Sequence, residues 1–264
     1  MEKVGLCRII IIAKNSKIFH KNKGIYRMNL ILCGGGWGQK TTSSNKLFES
    51  LIKGSKPVLY IPLARESSDD NYQYCKTWLI TKAFKDIKLG DIIVLHSAEE
   101  IADKSINDFG GVFIGGGNPY KLLKELTDGR VIDWLNKYLQ TDGVIYGSSA
   151  GAMLFGKNVD SAEYLVKNEV GLQNTDGLNK VFGMSIAPHY TNANNSISQK
   201  ATTYLVKYSK KTPVLALPEE DSLYINNKNV TVIGTKPYCF FVDGKSVEFQ
   251  PNITYAKETF VCVR

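Results

Sequence analysis

Short apolar runs rich in β-branched residues recur along the chain, and the stretches between them are long enough for amphipathic helices. The runs predicted as strands are residues 29–33, 57–62, 91–96, 111–114, 143–146, 184–187 and 213–217, and the predicted helices are 45–53, 69–86, 119–126 and 131–139. This alternation predicts an α/β fold, a three-layer sandwich with a mostly parallel, flavodoxin-like sheet and helices on both faces.

The pattern changes after residue 214, where strand-like runs follow one another closely. These runs are 223–226, 230–233, 239–242 and 246–249, with Asn226-Asn227 and Asp243-Gly244 as turn signals. They predict C-terminal β-hairpins at one edge of the sheet. No internal repeat or linker divides the sequence, so we expect a single domain over residues 28–264.

Residues 1–27 contain seven basic residues and one acidic residue, and therefore carry +6 of the net charge of +8. We expect this segment to be a disordered leader or a mis-assigned start, since Met28 directly precedes the first strand. The remaining charge is nearly balanced, which argues against a nucleic-acid partner. No apolar run has the length of a signal sequence or a membrane span, so a cytoplasmic protein without a membrane partner is expected.

The five cysteines are scattered and have no paired spacing: Cys7, Cys33, Cys75, Cys239 and Cys262. Such usage is typical of a reducing compartment, and it predicts neither a disulfide framework nor a metal site.

Two glycine-rich segments follow strands, LCGGGWG at residues 32–38 and FIGGGNPY at residues 113–120. Neither has the spacing of a nucleotide-binding motif, so no cofactor is predicted. Glycine turns can be purely conformational, but they also expose backbone N–H groups that bind anions or an oxyanion.

The pentapeptide GSSAG, residues 147–151, has the G-x-S-x-G pattern of a nucleophile elbow between an apolar strand and a helix. Small residues can also serve packing alone at such a turn. As a nucleophile, Ser149 needs a base, and the chain has three histidines, His20, His96 and His189. Only His189 follows a predicted strand at the expected edge of the site. The orienting acid is left open by spacing among four carboxylates: Asp160, Glu163, Glu169 and Asp176.

The segments FIGGGNPYKLL, YGSSAGA and PHYTN, in this order, resemble the peptidase E family of serine peptidases, which includes α-aspartyl dipeptidases and is related to cyanophycinase. The segments YIPLA and LALPEEDSLYI are similar to further parts of that family. The resemblance implies a fold like that of class I glutamine amidotransferases. An amidotransferase activity itself would need cysteine at the elbow, where this chain has Ser149.

Position by position, the resemblance implies Ser149 as nucleophile and His189 as base, with the N–H groups of Gly117 and Ala150 as the oxyanion hole. Asn118 is expected to shape the adjoining loop at the substrate. The chain departs from the family at the carboxylate that orients the histidine. Glu163 lies nearest to the family's spacing after the nucleophile, and Asp160 is the alternative.

The sequence thus predicts a serine peptidase that acts on short peptides without metal or cofactor. Glu219 is a candidate to contact a substrate amino group, and Arg65 is a candidate to contact an acidic side chain of the substrate. The alternative is a catalytically inactive relative that binds a small anion or ligand.

Overall fold

Two β-sheets and six α-helices make up the part of the chain described by the computed structural model, which covers residues 28–66, 68–191, 195–257 and 260. The predicted leader, residues 1–27, lies outside the described residues.

The larger sheet has eight strands in the described chain, in the order β12-β9-β8-β1-β5-β4-β2-β3. Their bounds are β1 Asn29–Cys33, β2 Val58–Ile61, β3 Ile92–Val94, β4 Gly111–Ile114, β5 Val144–Ser148, β8 Ser222–Ile225, β9 Asn229–Ile233 and β12 Thr254–Ala256. Strands β1 to β5 pair in parallel, whereas β8, β9 and β12 extend the sheet in antiparallel fashion beside β1. The parallel part ends in one row of strand carboxyl ends, where open α/β sheets place their ligands.

The smaller sheet has the order β11-β10-β7-β6, with β6 Ser185–Ala187, β7 Val214–Ala216, β10 Tyr238–Val242 and β11 Lys245–Phe249. This second sheet corrects one expectation. Only the hairpin β8–β9 joins the edge of the main sheet, while β7 and the hairpin β10–β11 belong to the second sheet. Alternating apolar positions show that a strand is covered, but they do not show which sheet it pairs with.

The α-helices are α1 Thr42–Leu51, α2 Asp69–Trp78, α3 Pro119–Asp128, α4 Val131–Tyr138, α5 Ala150–Met153 and α6 Ser196–Tyr208. Helix α2 continues into a π-helical turn over Leu79–Ala83, so the predicted helix 69–86 is shorter than expected. Helix α6 has no counterpart among the predicted helices. Its apolar signal is weak because few of its residues, such as Ala201 and Leu205, are buried.

The main sheet is covered on both faces around β1, where Leu30, Ile31 and Leu32 have no exposed surface. On one face Phe48 of α1 packs edge-on against Tyr146 of β5. The other face meets α5 so closely that a side chain at Gly147 would collide with the backbone of that helix. The core therefore holds β5 and α5 rigidly on either side of the turn between them.

Candidate active site

The turn between β5 and α5 places Ser149 in a strained conformation, with φ of 52° and ψ of −109°. Its N–H donates to the Cys33 carbonyl at the end of β1, at 3.1 Å, which ties the turn to the neighbouring strand. Strain of this kind at a non-glycine residue persists only where the surroundings enforce it, and it is concentrated at functional sites. The geometry agrees with the elbow that the sequence predicts.

His189 lies just beyond the end of β6, and its Nε2 is 2.8 Å from Ser149 Oγ. Its own backbone is also at positive φ, 57°, and its N–H donates to the Gly34 carbonyl at 2.8 Å. A side chain at Gly35 would fall 2.2 Å from the imidazole, so only glycine leaves room for the ring. The loop after β1 therefore holds the imidazole against the serine.

The other ring nitrogen, Nδ1 of His189, is 3.0 Å from Oε1 of Glu219, in the loop after β7. Oε2 of the same carboxylate accepts from Lys40 Nζ at 2.6 Å. The hydrogen bond from Lys40 lowers the pKa of the Glu219 carboxyl, with a smaller lowering by His189 and with partial burial opposing both. The carboxylate facing the imidazole is thereby kept ionised.

The expected acids, Glu163 and Asp160, have other partners. Glu163 Oε2 accepts from the Tyr204 hydroxyl at 3.0 Å, and Asp160 Oδ2 accepts from Thr175 Oγ1 at 2.6 Å. The carboxylate at the imidazole in this structure is Glu219, which the sequence analysis considered only as a contact for a substrate amino group. The spacing argument considered only residues between Ser149 and His189, although the chain order of such triads is not fixed.

The glycine-rich loop after β4 lies against the serine, since a side chain at Gly116 would come within 3.2 Å of Ser149 Cβ. Gly117 has φ of 147°, and the next N–H, that of Asn118, donates to the Ala64 carbonyl at 2.9 Å. Ala150 begins α5, and the first N–H groups of a helix have no partner within it. The structure thus brings the expected oxyanion loop and the elbow together.

Asn118 caps helix α3 rather than facing a substrate with its carbonyl oxygen. Its Oδ1 accepts from the N–H groups of Tyr120 and Lys121, at 2.9 and 3.2 Å. This agrees with a residue that shapes the loop.

These elements surround a cleft of ≈ 690 Å³ that contains Ser149, His189 and Glu219 in its lining. Arg65 lines the same cleft and is exposed. Much of the remaining lining is apolar or aromatic, including Trp37, Tyr74 and Trp78. The cleft has the size of a small-molecule or short-peptide site.

The model of peptidase family S51 matches residues 30–233. The chain belongs to peptidase family S51. Among relatives of this S51 peptidase, peptidase E of Haemophilus influenzae strain PittGG is 26% identical over 211 residues, covering 76% of this chain and 85% of the relative. Peptidase E of Shewanella denitrificans is 25% identical over 211 residues, covering 77% and 85%.

Two solved structures share the fold of this S51 peptidase. A peptidase from an acI-B1 Actinobacterium superposes with a TM-score of 0.66 at 20% identity, over 88% of this chain and 98% of the other. A putative peptidase E from Listeria monocytogenes EGD-e gives 0.59 at 23% identity, over 80% and 100%. The protein is a serine-type peptidase with a mixed α/β fold, as its family and its peptidase E relatives indicate.

Within the described residues of the S51 peptidase, no helix is long and apolar enough to span a membrane. The same residues contain no group of three or more His, Cys, Asp or Glu side chains that could hold a metal ion.

Sequence reasoning missed Lys40 and the aromatic residues of the cleft. Lys40 lies seven residues beyond the end of β1, beside a glycine-rich turn, and no spacing rule connects it to residue 219. For Glu219 a signal was present, because the segment LPEED follows a strand end in the same way as His189 does.

Proposed function

We propose that this S51 peptidase hydrolyses short peptides through a Ser149–His189–Glu219 triad. The observation that carries the proposal is the continuous chain of contacts from Ser149 Oγ through both ring nitrogens of His189 to Glu219. A serine hydroxyl becomes a nucleophile when an adjacent imidazole takes its proton, and a carboxylate on the far nitrogen holds the required tautomer.

In the proposed reaction Ser149 Oγ attacks the scissile carbonyl while its proton moves to His189 Nε2. The oxyanion accepts hydrogen bonds from the N–H groups of Gly117 and Ala150. His189 then returns the proton to the leaving amine, and an acyl-enzyme remains on Ser149. Water, deprotonated by the same imidazole, releases the acyl group and restores the serine.

We propose a dipeptidase-like activity because the cleft is small and the resemblance includes α-aspartyl dipeptidases. Arg65 is a candidate to pair with an acidic substrate side chain, since it lines the cleft and adjoins Ala64, which packs on the oxyanion loop. Cys33 and Cys75 are buried and free, which suits a reducing compartment, so we place the activity in the cytoplasm.

A fluorophosphonate probe and a dipeptide library test the proposal together. We expect wild-type protein to be labelled and to hydrolyse part of the library, and Ser149→Ala to lose both, with a rate loss of at least about 10³. Ser148→Ala is the matched control, since Ser148 is the neighbouring serine in the chain and His189 Nε2 contacts the hydroxyl of Ser149 instead. This variant should keep the labelling. Hydrolysis that survives Ser149→Ala would exclude the mechanism. A folded wild type without labelling or hydrolysis would favour the inactive, ligand-binding alternative.

A further inference from the structure

Large apolar side chains are exposed at the mouth of the cleft to an unusual degree. Within the described residues seven large apolar side chains are exposed, and three of them line the cleft: Trp37 at 56%, Tyr74 at 68% and Leu165 at 46%. Exposed apolar surface that is concentrated at one place marks a binding surface, whereas scattered single residues do not.

Three aromatic residues form one side of this mouth, which we call the aromatic wall: Trp37, Tyr74 and Trp78. The ring centroids of Trp37 and Trp78 are 6.1 Å apart at an interplanar angle of 56°. Tyr74 and Trp78 are four residues apart on α2 and therefore share one face of that helix. Trp78 is partly buried against the core, so it anchors the wall.

One end of the aromatic wall, Trp37, lies near the histidine of the site. The backbone at Gly35 is directly against the imidazole, because a side chain there would come within 2.5 Å of His189 Nε2. Trp37 is two residues further along, and two residues span at most about 7 Å. The Gly36 N–H donates to the Glu219 carbonyl at 3.0 Å, which holds this short segment beside the triad.

The chemistry of the proposed triad assigns a substrate part to each side. His189 Nε2 must reach the nitrogen of the leaving amine in order to protonate it. The amino acid that leaves therefore lies on the imidazole side, next to Trp37. The acyl part lies towards Ser149 and the loop of Gly117, against which Ala64 packs, followed by Arg65.

We propose that the aromatic wall is the binding site for the side chain of the leaving amino acid, and that it selects large apolar residues, above all aromatic ones. This inference rests on the proposed peptidase function. Aromatic rings supply a large contact area and favourable edge-to-face geometry for another ring. Partial burial of a Phe side chain against this wall is expected to raise kcat/KM by about tenfold over Gly.

The test uses dipeptides X-Gly, X-Ala, X-Leu and X-Phe, with each of the twenty amino acids as X. For each X that is hydrolysed, kcat/KM is compared between the four leaving residues. We expect wild type to prefer Phe over Gly by about tenfold, with Leu between them. Trp37→Ala and Tyr74→Ala should each reduce this ratio by severalfold, because kcat/KM falls more for X-Phe than for X-Gly. Both side chains are largely exposed, so the variants are expected to fold.

Ile197→Ala is the matched control, since Ile197 is as exposed as Tyr74, at 68%, but lies on α6 away from the cleft lining. It should leave the Phe-to-Gly ratio unchanged. Equal rates for Phe and Gly in wild type, or a ratio that survives both wall variants, would overturn the inference. So would an equal loss for all substrates in Trp37→Ala, which would show that Trp37 supports the triad instead.

The failure of this inference is distinguishable from failure of the proposed function. If hydrolysis disappears in Ser149→Ala but shows no preference for the leaving residue, the peptidase mechanism stands and the aromatic wall does not select substrates. If the aromatic preference falls on X instead, the two sides of the site are assigned the wrong way round. If no dipeptide is hydrolysed in a Ser149-dependent manner, both proposals fail.

Discussion

At the scale of single residues, the two nitrogens of His189 have different partners. Nε2 is 2.8 Å from Ser149 Oγ and Nδ1 is 3.0 Å from Glu219 Oε1. With the carboxylate ionised, Nδ1 carries the proton, so Nε2 is free to accept the proton of the serine. Lys40 holds the other oxygen of the carboxylate at 2.6 Å, which limits its rotation.

Glu219→Gln and Glu163→Gln form a pair that tests this assignment. Glutamine keeps the size of the side chain but removes its charge, so it no longer stabilises the imidazolium. We expect Glu219→Gln to reduce kcat by at least about 100-fold. Glu163 bonds to Tyr204, and Glu163→Gln should remain within about twofold of wild type.

Steady-state kinetics on the best dipeptide, together with melting temperatures of both variants, provide the measurement. The reverse order of activity at unchanged melting temperature would show that Glu163 is the acid. If neither variant loses activity, the site works as a Ser149–His189 dyad.

At the scale of elements, two loops hold each other in place. The Gly34 N–H donates to the Asp221 carbonyl at 2.9 Å, and the Gly36 N–H donates to the Glu219 carbonyl at 3.0 Å. Asp221 is completely buried, and its Oδ1 accepts from the N–H groups of Thr235 and Lys236 at 2.9 and 3.1 Å. Its Oδ2 has no partner among the described residues. Asp221 thus joins the loop of Glu219 to the turn between β9 and β10.

The environment of Asp221 predicts a pH-dependent stability. Desolvation raises the pKa of this carboxyl to about 6, although the two backbone N–H groups oppose the rise. A raised pKa in the folded state means that the protonated form is favoured there. The stabilisation that the protonated Asp221 carboxyl gives to the folded state is therefore fully present below pH of about 4, and it is lost as the pH rises through about 6.

Asp221→Asn removes this titration and keeps an oxygen for the two N–H donors. The quantity of interest is the free energy of unfolding of the variant minus that of wild type. We expect this difference to increase by about 1–2 kcal/mol when the pH is raised from 4 to 7.5, after allowance for solvent screening. Urea unfolding of both proteins at pH 4 and at pH 7.5 measures this difference. Asp243→Asn, on an exposed turn, controls for the change in net charge. A difference between variant and wild type that is the same at both pH values would contradict the prediction.

At the scale of the whole molecule, the proposed triad joins the two sheets. Ser149 follows β5 of the main sheet, whereas His189 and Glu219 follow β6 and β7 of the second sheet. Side chains of the second sheet alternate between two cores: Ile186 and Leu215 pack in the main core, and Ala187 and Val214 pack in a smaller core with α6. The distance between serine and imidazole therefore depends on how the two sheets pack.

Because the position of His189 relative to Ser149 depends on how the two sheets pack, we expect the two sheets to unfold together. Leu205 of α6 is fully buried in the smaller core, and Leu205→Ala should lower the free energy of unfolding by about 2–5 kcal/mol. All three tryptophans of the chain, Trp37, Trp78 and Trp134, lie outside that core.

We expect the unfolding midpoints from tryptophan fluorescence and from fluorophosphonate labelling of Ser149 to shift equally in Leu205→Ala. Ile197→Ala, which removes an exposed side chain from the same helix, should shift neither midpoint. Loss of labelling at an unchanged fluorescence midpoint would show that the second sheet unfolds independently.

Most of the elements could be predicted from the sequence because their signals are local. Strands β1 and β4 have the predicted bounds, and most other predicted strands and helices differ by a few residues at their ends. The GSSAG turn was recognisable because glycines on both sides of one serine, between an apolar strand and a helix, have a specific geometric use. His189 followed from the small number of histidines.

Tertiary structure alone decided which carboxylate meets His189, which strands form the second sheet, and which aromatic residues line the cleft. Glu219 is 30 residues from His189 and Lys40 is 179 residues from Glu219. Periodicity reports how one segment is covered, since it depends on the side chains of that segment. Contacts between loops depend instead on the order and pairing of strands far apart in the chain, and many such arrangements satisfy the same local pattern.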